Sequence, residues 1–172
     1  MRYAEPWSER LNSTTTKQTG AARLNKLKDG WIGVTRGRPA IGQTAFLSRT
    51  TCREDIVRFT EITGDQNPVH YDEELARRTP FGKLIVQGGV TSGLLNAVVA
   101  EELPGPGTVF LAVEWKFVKA VGINEEITAT VKVISVREDK PICVLDTQVV
   151  DGNGEVCLSG SATTYTMPLQ NL

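Results

Sequence analysis

The hydrophobic period of this chain changes once, and sharply, at Pro104-Gly105-Pro106-Gly107. Before it, Gly89 to Leu103 carries Val90, Leu94, Leu95, Ala97, Val98 and Val99, apolar over most of a helical circumference. Such a helix belongs inside a protein. After it the pattern alternates. Thr108 to Lys119, Glu126 to Arg137, Pro141 to Asp151 and Glu155 to Met167 all read as strands. Ile127 to Val133 alternates cleanly, so one face of that strand is wet. Asp151-Gly152-Asn153-Gly154 reads as a tight hairpin turn, and Glu138-Asp139-Lys140 as a second turn. Short helices, one buried helix and then an antiparallel meander make an α+β chain. Its sheet needs a cover, and the helix from Gly89 is the candidate.

Upstream, Gln43 to Thr50 reads as a short strand. Thr51-Cys52-Arg53-Glu54 matches a capping box, so a helix should follow, with Ile56, Phe59 and Ile62 on one face and Gly64 at its end. Asp72 is placed to cap a second helix, Glu73 to Arg78, stopped by Thr79-Pro80. Residues 1–40 read as an N-terminal extension, and 41–172 as the domain proper. In the extension only Ala21 to Lys28 has helical character. Trp7 and Trp31 should fasten it to the body or to a partner subunit.

Composition excludes several classes. At 172 residues the chain suits one domain with a real core, burying roughly 70% of its unfolded surface. A net charge of −1 gives no field for nucleic acid or an anionic membrane. No stretch approaches the roughly 20 apolar residues that span a bilayer, and the N-terminus lacks an apolar leader core. Its Ser/Thr/Lys/Arg content faintly suits a transit peptide, but Glu5 and Glu9 count against that, so the expected location is cytoplasmic. Cys52, Cys143 and Cys157 have neither metal-like spacing nor an even count, so no metal, no cofactor and no disulfide framework is expected.

The chemistry-bearing stretch is Gly64-Asp65-Gln66-Asn67-Pro68-Val69-His70. It holds the single histidine of the protein, with an aspartate five positions before it. Asn-Pro is a strong turn signal, and a rigid turn brings the two side chains towards one place. A carboxylate with an imidazole is a minimal acid–base pair. Taken alone, Asp65 could merely hold the turn, and His70 could be a structural histidine. Gly88-Gly89 could be a tight helix entry or the amide-lined start of a buried helix. Tyr71, Phe81 and Val86 read as core, and Lys116, Arg137 and Lys140 as mainly solvated cations.

Taken together with Phe81-Gly82, Ile85-Val86-Gln87-Gly88-Gly89, Leu103-Pro104-Gly105-Pro106-Gly107-Thr108 and Arg137-Glu138-Asp139-Lys140-Pro141, the turn resembles the hydratase motif of the MaoC-like family, the (R)-specific enoyl-CoA hydratases. The resemblance covers about residues 43–167. It implies a single hotdog domain, an antiparallel sheet wrapped around a long central helix. It also implies a homodimer or higher homo-oligomer acting on acyl-CoA or acyl carrier thioesters in fatty acid metabolism. The implied reaction is reversible hydration of a trans-2-enoyl thioester to the (R)-3-hydroxyacyl product, by a water that Asp65 and His70 activate. Asn67 shapes the turn, and the N–H of Gly88 or Gly89 is the expected oxyanion donor. Many members have histidine where Gln87 stands, and serine contacting the catalytic aspartate where Asn96 stands. Those departures keep a non-catalytic acyl-thioester-binding subunit in view, beside a hotdog thioesterase.

Overall fold

The computed structural model describes residues 29–170. The expectations for Trp7 and for a helix at Ala21 to Lys28 lie outside the described residues. The elements run β1 (Thr44–Thr50), α1 (Arg53–Thr63), a 3-10 turn (Pro68–His70), α2 (Glu73–Arg78) and α3 (Gly88–Ala97) with one π-helical turn (Val98–Glu102). Then come β2 (Thr108–Phe117), β3 (Glu126–Val136), β4 (Ile142–Asp151) and β5 (Val156–Thr166).

The sheet is five-stranded and antiparallel, in the order β1-β3-β4-β5-β2. The expected meander is therefore only partly correct. β3, β4 and β5 are consecutive neighbours, but β2 crosses the sheet to pair with β5, and β1 takes the free side of β3. Local alternation specifies a strand and its wet face; it carries no information on which neighbour completes the ladder.

On the inner face Ile127, Ala129, Val131 and Val133 of β3 lie beside Cys143, Leu145 and Val149 of β4 and Leu158 of β5, all fully buried. Leu94, Leu95, Val98, Val99 and Leu103 from α3 and its π-helical turn join the same cluster. α3 is not apolar all round, because Gly93 and Asn96 face outward and are exposed. The long helix expected over Gly89 to Leu103 is present from Gly88 to Glu102, as ten α-helical residues continued by the π-helical turn.

Two other local expectations shift. Thr51 does not cap α1. It is fully buried, and its hydroxyl donates to the Gly122 carbonyl (2.7 Å). The capping box moves one residue on: Cys52 is the N-cap, and its N–H donates to the Asp55 carboxylate (2.7 Å). Ile62 does not join the core and is 81% exposed, since α1 lies at the margin of the fold. By contrast α2 begins and ends where Asp72 and Thr79-Pro80 place it. The Asp72 carboxylate accepts the Leu75 N–H at 3.0 Å.

Trp31 is 3% exposed, sits in the core cluster, and donates its indole N–H to the Arg137 carbonyl (2.7 Å). The last part of the extension is thus fastened to the body. Arg137 itself forks onto Asp139 (2.9 and 2.7 Å). No described helix is long and apolar enough to cross a membrane.

Candidate active site

α1 ends at Gly64, whose left-handed backbone (φ 78°) suits glycine and whose N–H donates to the Thr60 carbonyl (2.7 Å). The chain then turns back on itself. Asn67 caps the 3-10 turn with Pro68 at its first position, and the His70 N–H donates to the Asn67 carbonyl (3.0 Å). The Asn67 N–H donates to Asp65 Oδ1 (3.0 Å), which leaves Oδ2 free to face the imidazole.

His70 is 7% exposed. Its Nδ1 lies 2.8 Å from the Ile85 carbonyl. A carbonyl only accepts, so Nδ1 carries a proton, and in the neutral ring Nε2 keeps its lone pair. Nε2 stands 3.6 Å from Asp65 Oδ2. That is too long for a direct hydrogen bond and short enough for one water to touch both groups. The Asp65 side chain is 38% exposed, so solvent reaches the pair from its side.

The same contact ties His70 to the lead-in of α3. Ile85 bridges to Gly122, and the Val86 N–H donates to the Val121 carbonyl (2.9 Å), which fixes this segment against the loop before β3. Gly88 follows three residues after Ile85, within about 10 Å along an extended chain. The Val90 N–H turns back to the Gln87 carbonyl (2.9 Å). The first N–H groups of a helix have no intrahelical partner, so those of Gly88 and Gly89 are available to an acceptor. Gly89 is also a packing requirement: a Cβ there would lie 2.1 Å from Phe59 Cζ.

Asp65, His70 and Asn67 are therefore drawn together, with Gly88 and Gly89 at the helix tip that follows the His70 anchor. Asn96 stands apart. It is exposed on α3 and, among the described residues, makes no hydrogen bond to Asp65. Tyr71 and Phe81, expected in the core, are 38% and 45% exposed, while Val86 is buried.

Sequence reasoning passed over Thr60, whose hydroxyl joins this turn to Gln87 (3.2 Å). A contact between residues 27 apart leaves no local signal. It also passed over Arg53, Arg77 and Lys83, which with Glu73 line a 420 Å³ concavity at the opposite end of α1. A second concavity, of 480 Å³, runs beside the turn and is lined by Thr60, Gln66, Pro68, Tyr71 and Asp72.

Comparison with known proteins places the chain in a family. Residues 38–153 match the family described as MaoC like domain. Over 122 residues, 71% of this chain and 91% of the other, the sequence is 34% identical to the (R)-specific enoyl-CoA hydratase of Aeromonas caviae. It is 38% identical over 122 residues to the 3-hydroxybutyryl-CoA dehydratase of Methylorubrum extorquens, covering 71% of this chain and 77% of that one. The solved structure of an (R)-hydratase from A. caviae superposes with a TM-score of 0.72 at 32% identity, over 75% of this chain and 98% of the other. A hotdog sheet closed on a central helix, a turn that points a carboxylate at an imidazole, and a matched span of this length have one common origin: the chain belongs to the MaoC-like (R)-hydratase/dehydratase family.

Proposed function

We propose that this protein is a carbon–oxygen lyase that reversibly hydrates trans-2-enoyl-CoA thioesters to (R)-3-hydroxyacyl thioesters. The observation that carries the reading is the facing of Asp65 Oδ2 and His70 Nε2 at 3.6 Å, with the far side of each group already committed to the backbone. Both facing atoms are acceptors, so one water donates to both and presents its oxygen lone pair to the substrate. As that oxygen bonds to C3, the π electrons of the C2–C3 bond move towards the thioester carbonyl. The water proton passes to the Asp65–His70 pair. The enolate oxygen is met by the N–H groups of Gly88 or Gly89, helped by the helix dipole. C2 then takes a proton from the same pair, so one water is added and no proton is consumed. Each step runs backwards as dehydration.

Purified protein is expected to bleach the enoyl absorbance of a short trans-2-enoyl-CoA and to yield the (R)-hydroxy product. Release of free CoA thiol without hydroxyacyl product would identify a thioesterase instead. Binding without turnover would identify an acyl-thioester-binding subunit.

The working unit in this reading is a homodimer. β2 is a sheet edge, and Val109, Leu111, Val113 and Phe117 along it are 51%, 44%, 48% and 58% exposed. A long apolar edge with unpaired backbone groups is normally covered. Light scattering should give twice the chain mass, and Val113→Lys should lower it; a wild-type monomer would refute the pairing. All three cysteines are unpaired, which suits the cytoplasm as the proposed location.

A further inference from the structure

Thr60 lies on α1, four residues before Gly64. Threonine within a helix commonly turns its hydroxyl back to the carbonyl four residues earlier, as Thr63 does here to Phe59 (2.6 Å). Thr60 does not. Its hydroxyl reaches the Asp65 carbonyl (2.6 Å), Gln87 Nε2 (3.2 Å) and the Tyr71 hydroxyl. The Ile56 carbonyl, the usual local partner, is taken by Gln87 Nε2 instead (3.3 Å).

The direction of every bond follows. A hydroxyl has one proton and two acceptor sites. The Asp65 carbonyl only accepts, so it receives the Thr60 proton. Gln87 must turn its nitrogen, not its oxygen, towards Ile56, because that carbonyl also only accepts. Gln87 Nε2 therefore donates to Thr60, and the Tyr71 phenol supplies the remaining donor. The capacity of the Thr60 hydroxyl is then filled.

This one oxygen meets the backbone of Asp65, the residue directly after His70, and the N-cap of α3. It is not needed to end α1, which Gly64 already does through the Thr60 carbonyl. Gln87 is 2% exposed, and its Oε1 meets no donor among the described residues. A buried amide kept with an unmet acceptor is costly, which points to a task for its nitrogen.

We propose that Thr60 is a positioning residue. Its hydroxyl, held by Gln87 and Tyr71, sets the Asp65–His70 pair in register with the amide tip of α3. The proposal rests on the hydratase reading of that pair, and part of its test does not need turnover.

The test is a set of variants. Thr60→Val keeps the shape and loses the hydroxyl. Its kcat for enoyl-CoA hydration is expected to fall about 10²-fold, with KM within about twofold, since a small misplacement of reacting groups acts on the rate step. Thr60→Ser should recover kcat to within about threefold. Gln87→Met, which removes the Thr60 donor together with the unmet acceptor, should lower kcat while holding the thermal midpoint. Because His70 is the single histidine, its imidazole N–H signal reports the geometry directly, with or without activity. One sharp Nδ1–H signal is expected in the wild type and Thr60→Ser, and a broadened or doubled one in Thr60→Val. If Thr60→Val fails to fold, Tyr71→Phe removes one donor at a part-exposed position and should give the same change in smaller measure. Wild-type kcat and imidazole signal in Thr60→Val, or Thr60→Ser as impaired as Thr60→Val, overturns the proposal. A rise in KM alone also overturns it. A wild type that hydrates nothing refutes the hydratase reading and leaves the imidazole test to decide the role of Thr60.

Discussion

Asp65→Asn is expected to lower kcat for hydration by about 10²–10⁴-fold while leaving the fold intact. Asparagine keeps an oxygen for the Asn67 N–H, so the turn loses no backbone contact. What it loses is the charge and the basic oxygen that faces Nε2 of His70 across 3.6 Å. His70→Ala should lower kcat by a similar factor with a different signature. It leaves the Ile85 carbonyl without the imidazole donor inside the protein, at a cost of about 1–3 kcal/mol, so its melting point should fall as well. The double variant should be little slower than either single one, because the two groups act on one water as a unit. Rates in Asp65→Asn and His70→Ala matching the unaltered protein would remove the acid–base pair from the mechanism.

How much of this was legible in the sequence depends on how local each determinant is. The limits of α2 were readable because Asp72 and Thr79-Pro80 act within one turn of the chain. The hairpin at Asp151 to Gly154 was readable too: the Asp151 carboxylate accepts the Asn153 and Glu155 N–H groups (both 2.9 Å) inside its own turn. The alternation of β3 predicted which of its side chains are buried, because period two is a property of a single strand. Strand order was not readable, since β2 pairs not with β3, the next strand in the chain, but with β5. Thr51 misled for a related reason. Its hydroxyl had a choice between the helix start and the Gly122 carbonyl 71 positions away, and burial favoured the distant partner. At the site, the turn motif and Gly88-Gly89 were conspicuous. Thr60 was not, because a threonine in a helix looks ordinary until the fold brings Gln87 and Tyr71 to its hydroxyl. Asn96 was placed next to Asp65 by resemblance alone, and within one chain it faces outward.

Gly89→Ala is expected to damage stability and catalysis together, and Gly88→Ala is its control for stability. A Cβ at position 89 would lie 2.1 and 2.3 Å from two ring carbons of Phe59. Real methyl groups do not approach that closely, so the ring or the helix must move. Phe59 is half-buried on α1, next to Thr60, and displacing it disturbs the helix end that launches the Asp65 turn. Moving α3 instead draws its N–H groups away from the acid–base pair. Overpacking of this kind costs about 1–3 kcal/mol, which for a chain of this size lowers the melting point by several degrees. A shift of the helix tip approaching 1 Å should lower kcat about 10²-fold. At position 88 the added methyl would meet only a side chain, Phe117 Cε1 at 3.0 Å, where a give of a few tenths of an ångström at the outer end of the ring is enough. Gly88→Ala should therefore melt within a degree or two of the wild type. Pairing Gly89→Ala with Phe59→Leu should recover part of the lost stability, because the leucine vacates the space that the methyl needs. Thermal melts and hydration rates for the four proteins check this. Wild-type melting and rate in Gly89→Ala would mean that the start of α3 has slack, and a helix tip with slack cannot hold an amide N–H against a developing oxyanion.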